Sequence, residues 1–231
     1  MKTISEKCAL LVVDMQIGFD DPVWGARNNP MLEANVGALI AAWRELPAPV
    51  IHIHHDSVAS NGTLQRGAAG NGAKPQAKPL STERVYRKQV NSAFIGTGLE
   101  RELRQIGVDT LFIVGLTTNH CISSTARMAG NLGFETFVVA DATATFDRAA
   151  LNGALRRADD VHAAALSDLQ DEFADIVETS SVFAAMSASL ALVGLDAMQW
   201  ETRLYSSALI IECQASHLRT EAEEHVPTSG G

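Results

Sequence analysis

The sequence predicts an α/β protein built on a parallel sheet, and three observations predict it. Leu111 to Val114 is an apolar run with the length and β-branched content of a strand buried on both faces. Ile122, Ala126, Ala129 and Leu132 follow it at helical spacing. Cys8 to Val13 repeats the buried-strand pattern near the amino end. Between these two runs, an amphipathic helix over Asn35 to Leu46 leads through Pro47-Ala48-Pro49 into a further strand, Val50 to His54. A strand-helix-strand unit of this kind implies parallel pairing.

The remaining elements follow in order. From Ser57 to Ser81 the composition turns to Gly, Ala, Asn, Pro and Lys without periodicity, as in a long binding loop or lid. Glu83 to Lys88 alternates and reads as a short edge strand. Thr97 caps a helix through Leu99, Leu103 and Ile106, which Gly107 ends. Beyond the central helix, Glu135 to Ala140 reads as a strand, Ala149 to Leu169 as helix-rich, Phe173 to Val177 as a final strand and Val182 to Leu192 as a closing helix. One domain over residues 1–183 is expected, followed by an appendage over 184–231 that is helical or partly disordered and ends in an acidic tail.

At 231 residues and 46% hydrophobic content, the chain can bury one substantial core. Its 18 Lys and Arg against 27 Asp and Glu give a net charge of -9, which argues against phosphate-backbone or anionic membrane partners. The apolar run near the amino end, Ala9 to Val13, is too short for a signal-peptide core or a membrane span. Three cysteines, Cys8, Cys121 and Cys213, match neither a disulfide framework nor a zinc ribbon, so a reducing, cytoplasmic home is expected.

Cys121 falls in the first turn of a helix that begins at the carboxyl end of a buried strand, where open parallel sheets bind ligands. Helix-end N–H groups there favour thiolate, making Cys121 a candidate nucleophile; a small packing residue is the plainer alternative. Asp14, at the carboxyl end of the first strand, is either a loop anchor or a group facing the same crevice. His52-Ile53-His54-His55-Asp56 places His52 and His54 on one strand face and His55 on the other. Too few ligands converge there for a zinc site, so His55 or Asp56 is expected to border the pocket instead. Phe19, Trp24 and Phe146 are candidate pocket walls.

Taken together, Leu11-Val12-Val13-Asp14-Met15-Gln16, Lys88 followed by Ser92-Ala93-Phe94, and Gly115-Leu116-Thr117-Thr118-Asn119-His120-Cys121 resemble the isochorismatase-like cysteine hydrolase superfamily. Ser124-Thr125-Ala126-Arg127 and Val139-Ala140-Asp141-Ala142 fit it as well, and the likeness covers about residues 7 to 180. The resemblance implies a three-layer αβα fold with a six-stranded, mostly parallel sheet in Rossmann-like order. It also implies an Asp-Lys-Cys triad falling on Asp14, Lys88 and Cys121, a cis Leu116-Thr117 peptide, and an oxyanion hole from the N–H groups of Thr117 and Cys121. Gln16, Phe19, Trp24, His55, Phe94, His120 and Phe146 are the expected pocket lining. No cofactor or metal is implied, and a homo-oligomer, dimer or tetramer, is.

Within that superfamily, isochorismatases proper lack the nucleophilic cysteine, so Cys121 points to C–N hydrolysis of a small amide or ureido compound through a thioester. Nicotinamidases resembling this chain carry an Asp-x-His metal motif that His52 to Asp56 does not reproduce. A nicotinamidase with divergent metal ligands is the first alternative, and a non-catalytic, thiol-reactive binding protein the second.

Overall fold

A computed structural model describes residue 4, residues 7–46 and residues 48–192. Six parallel strands form the central sheet: β1 (Cys8–Val13), β2 (Val50–His55), β3 (Arg84–Lys88), β4 (Thr110–Leu116), β5 (Glu135–Ala144) and β8 (Asp175–Val177). Their order is β3-β2-β1-β4-β5-β8. Among the described residues, five α-helices complete the layers: α1 (Leu32–Arg44), α2 (Leu99–Gln105), α3 (Ser123–Asn131), α4 (Ala158–Ser167) and α5 (Thr179–Leu192).

Alternation along the strands sorts the core into two clusters. Leu10, Val12, Phe112, Val114, Phe137 and Val139 face α1, which contributes Val36, Leu39, Ile40 and Trp43, and α5, which contributes Val182 and Met186. Ala9, Leu11, Val13, Ile51, Ile53, Leu111 and Ile113 face the other way, onto Leu99 and Leu103 of α2, Ala126 and Ala129 of α3 and Leu166 of α4. Each fully buried Leu, Ile or Val adds about 1.5–3 kcal/mol relative to exposure, so the two clusters hold the sheet between helical layers.

The structure departs from expectation between Ala149 and Leu169. Arg148–Ala149 (β6) and Leu155–Arg156 (β7) pair as a small antiparallel hairpin, and helix begins only at Ala158. The Asp147 carboxylate sets that start: its Oδ1 accepts from the Ala158 N–H at 2.7 Å, and its Oδ2 from Arg157 at 2.5 Å. Thr97 accepts from the Leu99 N–H at 3.3 Å at the start of α2. The division expected after residue 183 falls inside α5, whose Met186 is fully buried in the first cluster. Residues 193–231, most of the expected appendage and Cys213 with it, lie outside the described residues. No helix among the described residues is long and apolar enough to cross a membrane.

Candidate active site

The strand order reverses between β1 and β4, and that reversal opens a crevice at their carboxyl ends. Asp14, the first residue past β1, turns the chain with φ 51°, a left-handed conformation uncommon outside glycine. Its N–H bonds Ile53 O at 2.7 Å, and its carbonyl accepts from the Gln16 N–H at 2.8 Å. Opposite Val13 in the β1–β4 register stands Gly115, with φ 116°. A Cβ on Gly115 would lie 2.0 Å from the Val13 carbonyl oxygen, so only glycine lets the two central strands run this close.

The Leu116-Thr117 peptide that follows is cis. Thr118–Ile122 then winds one π-helical turn before α3, and the Thr117 carbonyl accepts from the N–H groups of His120 at 3.0 Å and Ile122 at 3.2 Å. Cys121 thus sits in a π-turn ahead of the α-helix, a device found mostly at functional sites.

Lys88 ends the edge strand β3 directly across from His55 in the β2–β3 register. Its side chain is wholly buried, and its ammonium makes three contacts: Asp14 Oδ2 at 2.7 Å, Cys121 Sγ at 3.2 Å and His55 Nδ1 at 3.2 Å. An ammonium has three donors and no lone pair, so all three are engaged. His55 Nδ1 is therefore the accepting nitrogen, and in the neutral ring the proton rests on Nε2. Asp14 Oδ1 is buried with no hydrogen-bond partner. The structure thereby brings together Asp14, Lys88 and Cys121.

Burial is the largest influence on the titrating groups here. It pushes the Asp14 carboxyl above its ordinary range, against the opposing Lys88 charge. It also pushes the Cys121 thiol well up, reinforced by the Asp14 charge and opposed by Lys88. Burial thus opposes the thiolate that helix-end N–H groups favour, since Cys121 is only 7% exposed. Burial, with Lys88 beside it, lowers the His55 pKa.

Asp14, His55 and Cys121 offer three ligand atoms within 4.8 Å of one another, the set that could hold a metal. The Lys88 ammonium already bonds all three, so a cation would have to displace it. His52 and His54 lie elsewhere. His52 Nε2 pairs with Glu83 Oε2 at 2.9 Å, and Arg44 grips both oxygens of that same carboxylate. His54 is buried with Nδ1 unpartnered.

The rest of the predicted lining divides four ways. Phe19, Trp24 and Phe146 form one aromatic cluster, with ring centroids 4.9 to 6.1 Å apart. Gln16 is fully buried and clamps backbone: it bonds the N–H and C=O of His55 at 2.8 and 3.0 Å and the carbonyl of Asn71 at 3.0 Å. His120 is half-buried next to Thr117 Oγ1 at 3.3 Å. Phe94 stacks on Phe134 in the second core cluster, away from the aromatic trio.

Loop 57–81 is strapped to this end of the sheet. Ile17 N bonds Gly72 O at 2.9 Å and Lys74 N bonds Met15 O at 2.8 Å. Buried Asn71 donates to the carbonyls of His55 and Leu64, and buried Lys74 pairs with Asp20 and Glu33. Asn71 and Lys74 gave no sequence signal, since one Asn and one Lys in a polar loop look like any others. Asn91 was missed for the same reason, yet Cys121 Sγ lies 3.8 Å from its Oδ1.

The isochorismatase domain profile matches residues 8–181. The chain belongs to the isochorismatase family. It is 42% identical over 179 residues to YrdC of Bacillus subtilis, an uncharacterized isochorismatase family protein, covering 78% of this chain and 96% of that one. It is also 30% identical over 187 residues to Nicotinamidase 3 of Arabidopsis thaliana, covering 75% and 86% of the two chains. A solved isochorismatase-family structure from Chromobacterium violaceum superposes with a TM-score of 0.79 at 42% identity, covering 81% of this chain and 97% of that one. This isochorismatase-family chain is a hydrolase, and its six-stranded αβα architecture is the family's.

Proposed function

We propose that the protein hydrolyses a C–N bond of a small amide or ureido compound, with Cys121 as nucleophile, Asp14 as proton carrier and Lys88 as the fixed positive charge. The observation that carries this reading is the wholly buried Lys88 ammonium, bonded at once to Asp14 Oδ2 at 2.7 Å and Cys121 Sγ at 3.2 Å. Packing alone does not need a thiol, a carboxylate and an ammonium in mutual contact, and burying three such groups is costly.

Burial pushes the Cys121 thiol up, so attack calls for a base. Asp14 takes the S–H proton as Sγ bonds the substrate carbonyl carbon and the carbonyl electrons move onto oxygen. The N–H groups of Thr117 and Cys121 receive that oxyanion, where a single such donor is typically worth about 3 to 4 kcal/mol. On collapse the C–N bond breaks, and the nitrogen takes the proton from Asp14 and leaves as ammonia or an amine. Water, deprotonated by Asp14, then opens the thioester; the C–S bond breaks, and sulfur regains the proton. The sum is amide plus water giving carboxylic acid plus amine.

Lys88 holds the Asp14 carboxylate in place and balances the negative charge that passes between oxygen and sulfur. Kinship with a nicotinamidase supports an amide substrate. A small-molecule site, a homo-oligomeric assembly and a cytoplasmic setting complete the reading.

Ammonia release by wild type and Cys121→Ala across primary amides and ureido compounds, nicotinamide included, tests it. Release that depends on Cys121 is expected. Release that persists in Cys121→Ala removes the thiol from the mechanism.

A further inference from the structure

Asn91 lies on the exposed segment Gln89 to Asn91 that follows buried Lys88, and its Oδ1 stands 3.8 Å from Cys121 Sγ. Asp14, Lys88 and Cys121 are all buried beneath it, so Asn91 is at the mouth of the site with its amide oxygen turned toward the thiol. Its position is fixed from α3. Two residues on, the Ala93 N–H bonds Thr125 Oγ1 at 3.1 Å, and Thr125 is fully buried four residues beyond Cys121. Segment and nucleophile thus hang from the same part of the chain, and Phe94 N bonding Ser92 Oγ at 3.3 Å tightens the turn between them.

We propose that Asn91 is a specificity residue: its Oδ1 accepts a hydrogen bond from the nitrogen of the scissile C–N group. The site then prefers carboxamide and ureido substrates over esters and acids, which carry no N–H at that place. This rests on Cys121 being the nucleophile. In the tetrahedral adduct the leaving nitrogen is two covalent bonds from Sγ, so an acceptor 3.8 Å from Sγ is within hydrogen-bonding reach of it. Asp14 is committed to carrying the proton, and Asn91 Oδ1 is a further acceptor in contact with the thiol.

The test alkylates Cys121 with iodoacetamide and with iodoacetate. These reagents form the same S–CH2 bond and expel the same iodide, but only the first offers an N–H. Rates are read by mass spectrometry of the Cys121 peptide and divided by those of N-acetylcysteine. The ratio of the two rates cancels any change in thiol acidity, so a merely structural role of Asn91 does not move it. The expected result is a preference for iodoacetamide in wild type that falls about tenfold in Asn91→Leu, the size of one hydrogen bond, and survives in Asn91→Gln, which keeps an amide acceptor without adding charge. An unchanged ratio in Asn91→Leu, with Cys121 labelled by both reagents, overturns the role of Asn91 and leaves the nucleophile standing. Wild-type amide turnover that persists in Cys121→Ala overturns the nucleophile and this role with it.

Discussion

Lys88 donates to Asp14 Oδ2 at 2.7 Å with both side chains wholly buried, linking the end of the edge strand to the end of the central strand. Two charges taken out of water are tolerable together and costly apart. Lys88→Met strands the Asp14 carboxylate, and a loss of about 3 to 5 kcal/mol in unfolding free energy is expected in urea titrations. The double variant Asp14→Asn with Lys88→Met should lose clearly less than the sum of the two single changes. Additive losses would mean that the two groups are not coupled.

Acid should silence the enzyme earlier than an ordinary carboxylate would. Burial raises the Asp14 carboxyl above its usual 3.8. A base works only unprotonated, so kcat/KM should fall as pH drops through that raised value. A profile of kcat/KM against pH checks this; an acid limb at or below the usual aspartate range speaks against Asp14 as the base.

His54 makes the fold acid-sensitive. Burial, with the Arg87 charge adding to it, holds its pKa at about 4 instead of 6.5. The unfolded chain therefore binds a proton that the folded one refuses. Stability is complete above about pH 6.5 and drains as pH falls toward 4, by about 3 kcal/mol in all. In denaturant titrations from pH 7 to 4, His54→Gln should lose markedly less stability than wild type. Equal losses would place the acid sensitivity in other groups.

Gly115→Ala should be among the most damaging small substitutions. The added methyl meets the Val13 carbonyl oxygen at 2.0 Å, in a backbone conformation, φ 116°, that alanine resists. A loss of about 3 kcal/mol or more is expected from thermal or chemical unfolding. Near-wild-type stability would mean that β1 and β4 can separate at no cost.

Much of this was legible because burial leaves a strong mark on sequence. Cys8–Val13 is read at its true limits, and the acid after it and the cysteine after Val114 stand where a parallel sheet places its crevice. The hairpin at Arg148 to Arg156 was not legible, since its strands are two residues each and the alanines around them read as helix. The burial of Cys121 is hidden for a different reason. Its helix-end position is local and visible, whereas the desolvation that opposes the thiolate arises only once the chain is packed. Asn71, Lys74 and Asn91 likewise take their meaning from partners far along the chain: His55, Glu33 and Cys121.

The central claim is a covalent bond between substrate and Cys121. The most direct measurement is acid quenching of wild-type turnover on an amide that yields ammonia, followed by mass spectrometry of the Cys121 peptide. An acyl adduct on Cys121, together with loss of turnover in a folded Cys121→Ala variant, is the predicted result. Ammonia release at the wild-type rate by Cys121→Ala, with no adduct on the wild-type peptide, would contradict the account.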